Sequence, residues 1–259
     1  MQKKNNLICE NCGVSSEERN KLKSYKKGDV LEFGSYPQTI KKETITIINT
    51  IQDEKGYFTG SDGEKYVLCK AYPHDKYKFS NGEKIEKDKE YYFKVEPIKW
   101  KILEDKNGKV FIFSELILDV HKFDDNSNDY AASSIRSWLN SDFYNKAFTD
   151  KQKELIENTT LKDISNVTDK VFLLSEEEIE NTSYGFYSDN DRCKKVTDYA
   201  KANHAYEYYN YKKNGWYWLR NPWSYDDVAG IGGDGCIYKG YVDDKGSGVA
   251  PALVINKIK

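Results

Sequence analysis

The sequence predicts an α+β protein, with antiparallel strands at both ends of one domain and a few short helices between them. Three observations lead there. Alternating, β-branched or aromatic runs occupy the two ends of the chain. Helical periodicity is confined to the middle. Gly, Asn-Gly and Pro signals separate the strand-like runs.

Residues 1–27 are polar and charged, with almost no apolar periodicity, and are expected to form a tail. They hold Cys9 and Cys12 in a C-x-x-C followed by Gly13. That turn points two thiolates at one ion and is half of a zinc knuckle. Tetrahedral zinc needs two further ligands. No second C-x-x-C exists, and His74, His121 and His204 are distant and single. A flexible reduced tail without cofactor is the expectation, and a degenerate zinc ribbon or a half-site completed by a partner is the alternative.

From Gly28 the texture changes. "GDVLEFGSYPQT" reads as a short strand ending at Gly34, followed by a proline turn. "ETITIINTI" alternates and is β-branched, which predicts a strand. "KGYFTGSDGEKYVLCKA" predicts a hairpin through Ser61-Asp62-Gly63, and "KDKEYYFKV" another strand. Ile98, Trp100 and Ile102 alternate with lysines, Asn107-Gly108 supplies a type I′ turn, and Val110–Phe113 returns. Residues 28–95 thus form an N-terminal β part and residues 96–259 a core part.

Ile135, Trp138, Leu139, Phe143 and Ala147 follow helical spacing behind Ser133, a good N-cap. Thr149-x-x-Gln152 is a capping box, and Ser175-x-x-Glu178 caps a further short helix. "KVFLLS" between them predicts a buried strand, and Thr197 caps "DYAKANHAYEYY". After Gly215 the chain is strand and turn again: "WYWLRNP", "DVAGIGG", "CIYKGYV" and "VAPALVI".

The composition narrows the function classes. Lys and Arg total 40 against 42 Asp and Glu, so no basic excess points to nucleic acid. No apolar run approaches the ~18 residues of a membrane span. The start lacks the apolar core of a signal peptide, so a cytoplasmic location is expected of the sequence as given. Cys69, Cys193 and Cys236 follow no disulfide framework and are expected as reduced thiols. There is no G-x-S-x-G elbow and no evident Cys–His or Ser–His pair. "FDDNSNDY" imitates a calcium loop through Asp124, Asn126 and Asn128, but Asp129 replaces the turn glycine and Ile135 the bidentate Glu. It reads as a solvated turn leading into the helix. "GIGGDGC" precedes a strand where a phosphate cradle would precede a helix, so it reads as a hairpin turn.

What stands out is 21 Tyr and 5 Trp against a single Met. The densest stretch is "GWYWLRNPW" at residues 215–223. Alternation puts Trp216, Trp218 and Arg220 on one face and Tyr217 and Leu219 on the other, one face being expected in the core. Trp223, Tyr225, Tyr238 and Tyr241 fall in turns or short strands and are expected at the surface, where loops on a rigid sheet collect binding residues. Asp226, Asp227, Asp243 and Asp244 add negative charge that disfavours an anionic ligand there.

Several segments together resemble a known bacterial family, DUF6273: "YYFKVEPIKWKIL", "ILDVHKFDDNSNDYAASSIRSWLNSDFYNKAF", "TDKVFLLS", "TDYA" and "WYWLRNP…GVAPALVI". The resemblance runs from about Gly28 to Ile255. It implies a C-type-lectin-like fold, as in formylglycine-generating-enzyme-like proteins and the variable proteins of diversity-generating retroelements. Its N- and C-terminal strands would lie close together, and its loop-rich C-terminal half would display the ligand face. By position that face maps onto Arg220–Tyr241. Two departures stand out. Ala250 occupies the Arg position of the family's G-V-R-P-A-L, and Asn221 and Trp223 flank Pro222 where Ser and Gly are usual.

The leading expectation is a non-catalytic recognition module. It would bind a protein or carbohydrate through Arg220, Asn221, Trp223, Tyr225, Asp226, Tyr238 and Tyr241. Two other readings stay open: an oxidase like the formylglycine-generating enzymes, with Cys193 and Cys236 as its thiols, and an adaptor linked through zinc at Cys9 and Cys12.

Overall fold

The computed structural model of the chain describes residues 24–164 and 167–257. Cys9 and Cys12, with the expected tail up to residue 23, lie outside the described residues. The first eight strands are β1 Val30–Ile40, β2 Ile47–Asn49, β3 Phe58–Gly60, β4 Lys65–Lys70, β5 Glu90–Lys106, β6 Lys109–Ser114, β7 Leu116–Ile117 and β8 Asp119–Val120. The middle of the chain adds the short strands β9 Thr159–Thr160, β10 Thr168–Asp169, β11 Val171–Phe172 and β12 Lys195–Val196. The C-terminal part holds β13 Glu207–Tyr208, β14 Asn214–Gly215, β15 Tyr217–Ser224, β16 Asp227–Ile231, β17 Ile237–Tyr241, β18 Gly248–Val249 and β19 Ala252–Asn256. Strand pairs are mostly antiparallel and the helices are few and short, which is the expected α+β class.

An eight-stranded sheet runs β11-β19-β6-β5-β4-β3-β2, with β1 also on β5. The 17-residue β5 is its spine. Phe93 pairs with both Ile40 of β1 and Val67 of β4, and Trp100 pairs with both Leu31 of β1 and Ser114 of β6. β1 therefore follows one edge while β4 and β6 take turns on the other. The two expected strands "KDKEYYFKV" and "IKWKIL" fuse into one. Pro97, which has no N–H for a ladder, sits in the gap between the β4 and β6 pairings. There the buried Gln38 amide donates to the Glu96 and Pro97 carbonyls at 3.0 and 3.1 Å. At the β5–β6 turn, Asn107 and Gly108 take φ of 52° and 73°, as a type I′ hairpin requires.

β1 corrects an expectation. The strand does not stop at Gly34 but continues through Pro37. Gly34, at φ +70°, absorbs a register shift between Glu32 and Ser35, and a second shift follows Pro37. A Cβ on Gly34 would meet the Phe148 ring at 2.6 Å, so only glycine fits the bulge against the helical layer. The strand expected from "ETITIINTI" shrinks to β2 at the sheet margin, with Ile48 and Ile51 exposed.

The helices begin where their caps predict. Ser133 Oγ accepts from Arg136 N, and a helix follows over Ser134–Trp138, a π turn over Leu139–Phe143 and a last helical turn over Tyr144–Ala147. Thr149/Gln152 and Ser175/Glu178 both close reciprocal capping boxes. The Asn140 side chain stitches this helix to the sheet: it donates to Val171 O and accepts from Val171 N and Lys170 N. Thr197 caps the helix Asp198–Ala202. That helix ends far short of the expected "AYEYY", because the chain turns at His204, φ 95°.

The C-terminal part builds two further sheets. One runs β17-β16-β15-β18-β8 and the other β13-β14-β12-β7. "GIGGDGC" forms the turn between β16 and β17, as expected. β15 corrects a second expectation, because both of its faces are buried over Tyr217–Arg220. Tyr217 packs at 6.1 Å from Phe113 and donates to Arg192 O. On the other side Trp216 and Trp218 meet edge to face at 4.6 Å, and Trp218 Nε1 donates to His121 O. Glycines make room for these rings: a Cβ on Gly230 would lie 2.1 Å from Trp216.

The N-terminal strands are locked to the rest. Trp100 Nε1 donates to Phe33 O at 2.7 Å. The Asp198 carboxylate takes the Ile40 and Ser80 amides while pairing with Lys201 at 3.1 Å. No helix among the described residues is long and apolar enough to cross a membrane.

Candidate functional site

β15 leaves the interior at Asn221. From there a hairpin projects: β15 and β16 close through Tyr225-Asp226, with Ser224 opposite Asp227. Pro222 lies next to a register shift in this pairing. β17 flanks the hairpin, placing Tyr241 opposite Asp227 and Tyr238 opposite Gly230. Lys239 reaches across to Asp227 at 2.8 Å. The tip stays wet. Trp223 is 48% exposed, Tyr241 65% and Tyr225 98%. Tyr238 is half-exposed and Asp226 exposed. Tyr225 also takes φ 44°, a left-handed conformation that glycine and asparagine adopt far more readily than tyrosine.

Two of the expected ligand residues turn inward. Arg220 is 2% exposed, which removes it from the exposed face. Its Nε and Nη2 hold both oxygens of Asp163 at 2.7–3.0 Å, and its Nη1 donates to Glu178 and to Leu173 O. A buried guanidinium needs this saturation, because an unpaired charge there is costly. Glu178 is the same residue that closes the Ser175 capping box, so the ion cluster and the helix cap share one carboxylate. Asn221 Oδ1 accepts from Glu176 N at 2.8 Å and helps fix the same short helix. Arg220 contributes to the wall of a cleft of about 440 Å³ that also includes Phe111, Phe172 and Thr159.

A second aromatic region was not anticipated. Residues 74–78, 206–211 and 213 line an open cleft of about 630 Å³. His74 meets Tyr206 edge to face at 4.4 Å, and the rings continue through Tyr208 to Tyr211 at 6.3 and 6.2 Å. Tyr209 at its mouth is 84% exposed. The clue in the sequence was the spacing of Tyr206, Tyr208, Tyr209 and Tyr211, which the helical reading of "AYEYY" obscured. The cleft adjoins the β16–β17 turn, at the end of β16 away from Tyr225: Cβ atoms on Gly232 and Gly233 would meet Tyr238 at 2.8 Å and Tyr208 at 2.9 Å respectively.

Groups suited to covalent chemistry are poorly activated. Cys193 and Cys236 both approach Asp189, at 3.6 Å from its carbonyl and 3.5 Å from its carboxylate, and both are free. Desolvation, helped by Asp234 at Cys193 and by Asp189 at Cys236, holds both thiols above the usual thiol range. Cys69 ends a partly buried chain of hydrogen bonds that runs through Asn203 and Asp119 to Tyr36. Burial pushes its thiol up to about 11 and raises the Asp119 carboxyl and Tyr36 phenol as well. The calcium-like loop is a turn: Asp124 spends its carboxylate on the Ser134 and Asn126 amides. Among the described residues no cluster of three or more His, Cys, Asp or Glu is placed to hold a metal ion.

No curated protein and no solved structure matches the chain. Residues 107–257, more than half of the chain, match the family described as a domain of unknown function (DUF6273). The match starts at the β5–β6 turn and not near Gly28, so β1–β5 lie outside it. They complete the sheet whose other strands, β6, β11 and β19, fall within the matched stretch. By that match the chain belongs to the DUF6273 family.

Proposed function

We propose that the chain is a non-catalytic recognition module on a C-type-lectin-like scaffold. It binds a protein or carbohydrate ligand through the hairpin surface formed by Trp223, Tyr225, Asp226, Tyr238 and Tyr241. The scaffold reading draws support from the first and last described strands, β1 and β19, which lie in one sheet with only β5 and β6 between them. The binding reading rests above all on Tyr225. A large aromatic ring is held 98% exposed on a residue with positive φ. Stability alone favours glycine or asparagine at that position. Strain of this kind collects at ligand-contacting sites. The oxidase alternative draws less support, since neither Cys193 nor Cys236 is held as a thiolate.

The test compares the wild-type chain with a Trp223→Ala/Tyr225→Ala/Tyr241→Ala variant on one glycan array and one peptide library. A ligand retained by the wild type and lost by the variant, with the melting curve unchanged, is the expected result. Identical retention by both proteins would falsify the proposal.

A further inference from the structure

We infer that the tyrosine-walled cleft between residues 74–78 and 206–213 is a binding site for a short, neutral oligosaccharide. The inference goes beyond the hairpin surface and uses none of its residues. The volume of about 630 Å³ falls within the usual range of small-ligand sites. Aromatic faces that can stack on the C–H face of a sugar stand beside polar groups that can take its hydroxyls. Tyr208, Tyr209 and Tyr211 supply the faces, and Asp75, Glu207 and Asn210 supply hydrogen-bonding groups.

Charge and backbone narrow the ligand class. The lining mixes the carboxylates of Asp75 and Glu207 with the ammonium groups of Lys76, Lys78 and Lys213, and Glu207 also pairs with Lys201 at 3.5 Å, so the cleft carries a small cationic excess that is far from the basic cluster a polyanion needs. β13 is an edge strand at this cleft, which raises the alternative of a peptide added to the sheet. That edge is already occupied. β13 is only two residues long, and its Glu207 N already donates to the Tyr77 hydroxyl at 3.1 Å. A peptide strand finds no open ladder there, whereas a sugar needs none.

The cleft is also preorganised. Lys212 and Lys213 hold successive left-handed conformations, φ 54° and 60°, and Lys213 N closes the loop on Tyr208 O at 3.1 Å, beside the Tyr208–Tyr211 ring contact. Tyr206 is anchored through its hydroxyl to Asp244 at 2.8 Å. Rings fixed before the ligand arrives lose little freedom on binding.

The experiment titrates the full chain with a panel of neutral malto-, cello-, xylo- and chito-oligosaccharides, alongside sulfated oligosaccharides and the peptide library. At least one neutral oligosaccharide is expected to bind, with an affinity unchanged in about 0.5 M salt. Tyr209→Ala/Tyr211→Ala is expected to weaken it by about tenfold or more. Tyr209→Ser alone, which touches only the most exposed ring, must act in the same direction. Trp223→Ala/Tyr225→Ala must leave this affinity unchanged, which separates the cleft from the hairpin surface. The inference is overturned if no neutral oligosaccharide binds, if only sulfated sugars or peptides do, or if the cleft variants bind as the wild type does. Loss confined to the hairpin variant would also overturn it while leaving the hairpin reading standing.

Discussion

Tyr217–Arg220 and Asn221–Tyr225 adjoin in one stretch of chain, and both are rich in aromatic rings. The first is sealed on both faces, with Phe113 against Tyr217 on one side and Trp216 and Phe123 against Trp218 on the other. The second leaves the sheet's cover and ends on a tyrosine that is almost wholly in water. Residue type does not separate the two halves. What separates them is the element lying across from each: packed rings and glycines for the first, and a free hairpin end for the second.

The tryptophans give the widest test of this contrast. Trp218 is fully buried and donates to His121 O, so Trp218→Ala should cost about 3–5 kcal/mol of unfolding free energy. Trp223→Ala should cost less than about 0.5 kcal/mol. Urea unfolding of both variants measures the difference. Equal losses would mean that Trp223 belongs to the core and that the hairpin has no separate role.

Much of this architecture was legible because the chemistry behind it is local. Asn107-Gly108, the Ser133 cap and the Thr149/Gln152 and Ser175/Glu178 boxes each satisfy their own backbone within four residues, so the sequence alone reveals them. The exposure of Trp223, Tyr225, Tyr238 and Tyr241 was legible too, because they fall in a turn and on the short strands that flank it, where loops on a rigid sheet reach solvent. What escaped depends on distant partners. Arg220 turns inward because Asp163 and Glu178, 57 and 42 residues away, supply its counter-charges. β1 runs on past Pro37 because the adjacent edge is bridged by Gln38 acting on Glu96 and Pro97. The tyrosine cleft needs His74 and Tyr77 brought against residues 206–213, a pairing that no local pattern encodes.

The buried side contains a second contrast, between two cations. Arg220 is saturated by carboxylates. Lys194 is also buried, but its ammonium donates to a carbonyl, Ser114 O, and lies 3.8 Å from the face of Phe113, with Glu115 acting on it only through space. Burial pushes its ammonium down to about 7 from 10.5. Below about pH 7 both folded and unfolded chains hold this proton, and the full cost of burying the charge is present. Between about pH 7 and 10.5 the unfolded chain keeps the proton that the folded chain has shed, so stability rises with pH. From pH 7 to 9 the wild type should gain about 2 kcal/mol relative to Lys194→Met, whose side chain does not titrate. Parallel stability profiles for the two proteins over that range would show that Lys194 stays charged in the fold.

The smallest expected effect bears most directly on why the outer half of β15 exists. Tyr225 combines positive φ with nearly complete exposure, so its ring adds little packing while its backbone is strained. Tyr225→Gly relieves that strain and loses part of the gain to the greater freedom of glycine in the unfolded chain. The net should be about 0.5 kcal/mol of added stability. Tyr225→Val should move the other way by about 1 kcal/mol, because a β-branched residue tolerates this conformation worst. Thermal melts of the three proteins give the order glycine, tyrosine, valine. The same glycine variant should bind the hairpin's ligand more weakly than the wild type, since it removes the ring and keeps the turn. A variant both more stable and less able to bind marks Tyr225 as a residue retained against the interest of the fold. A glycine variant that melts lower would mean that the ring contributes to the fold, and the case for a surface shaped by its ligand would lose its main support.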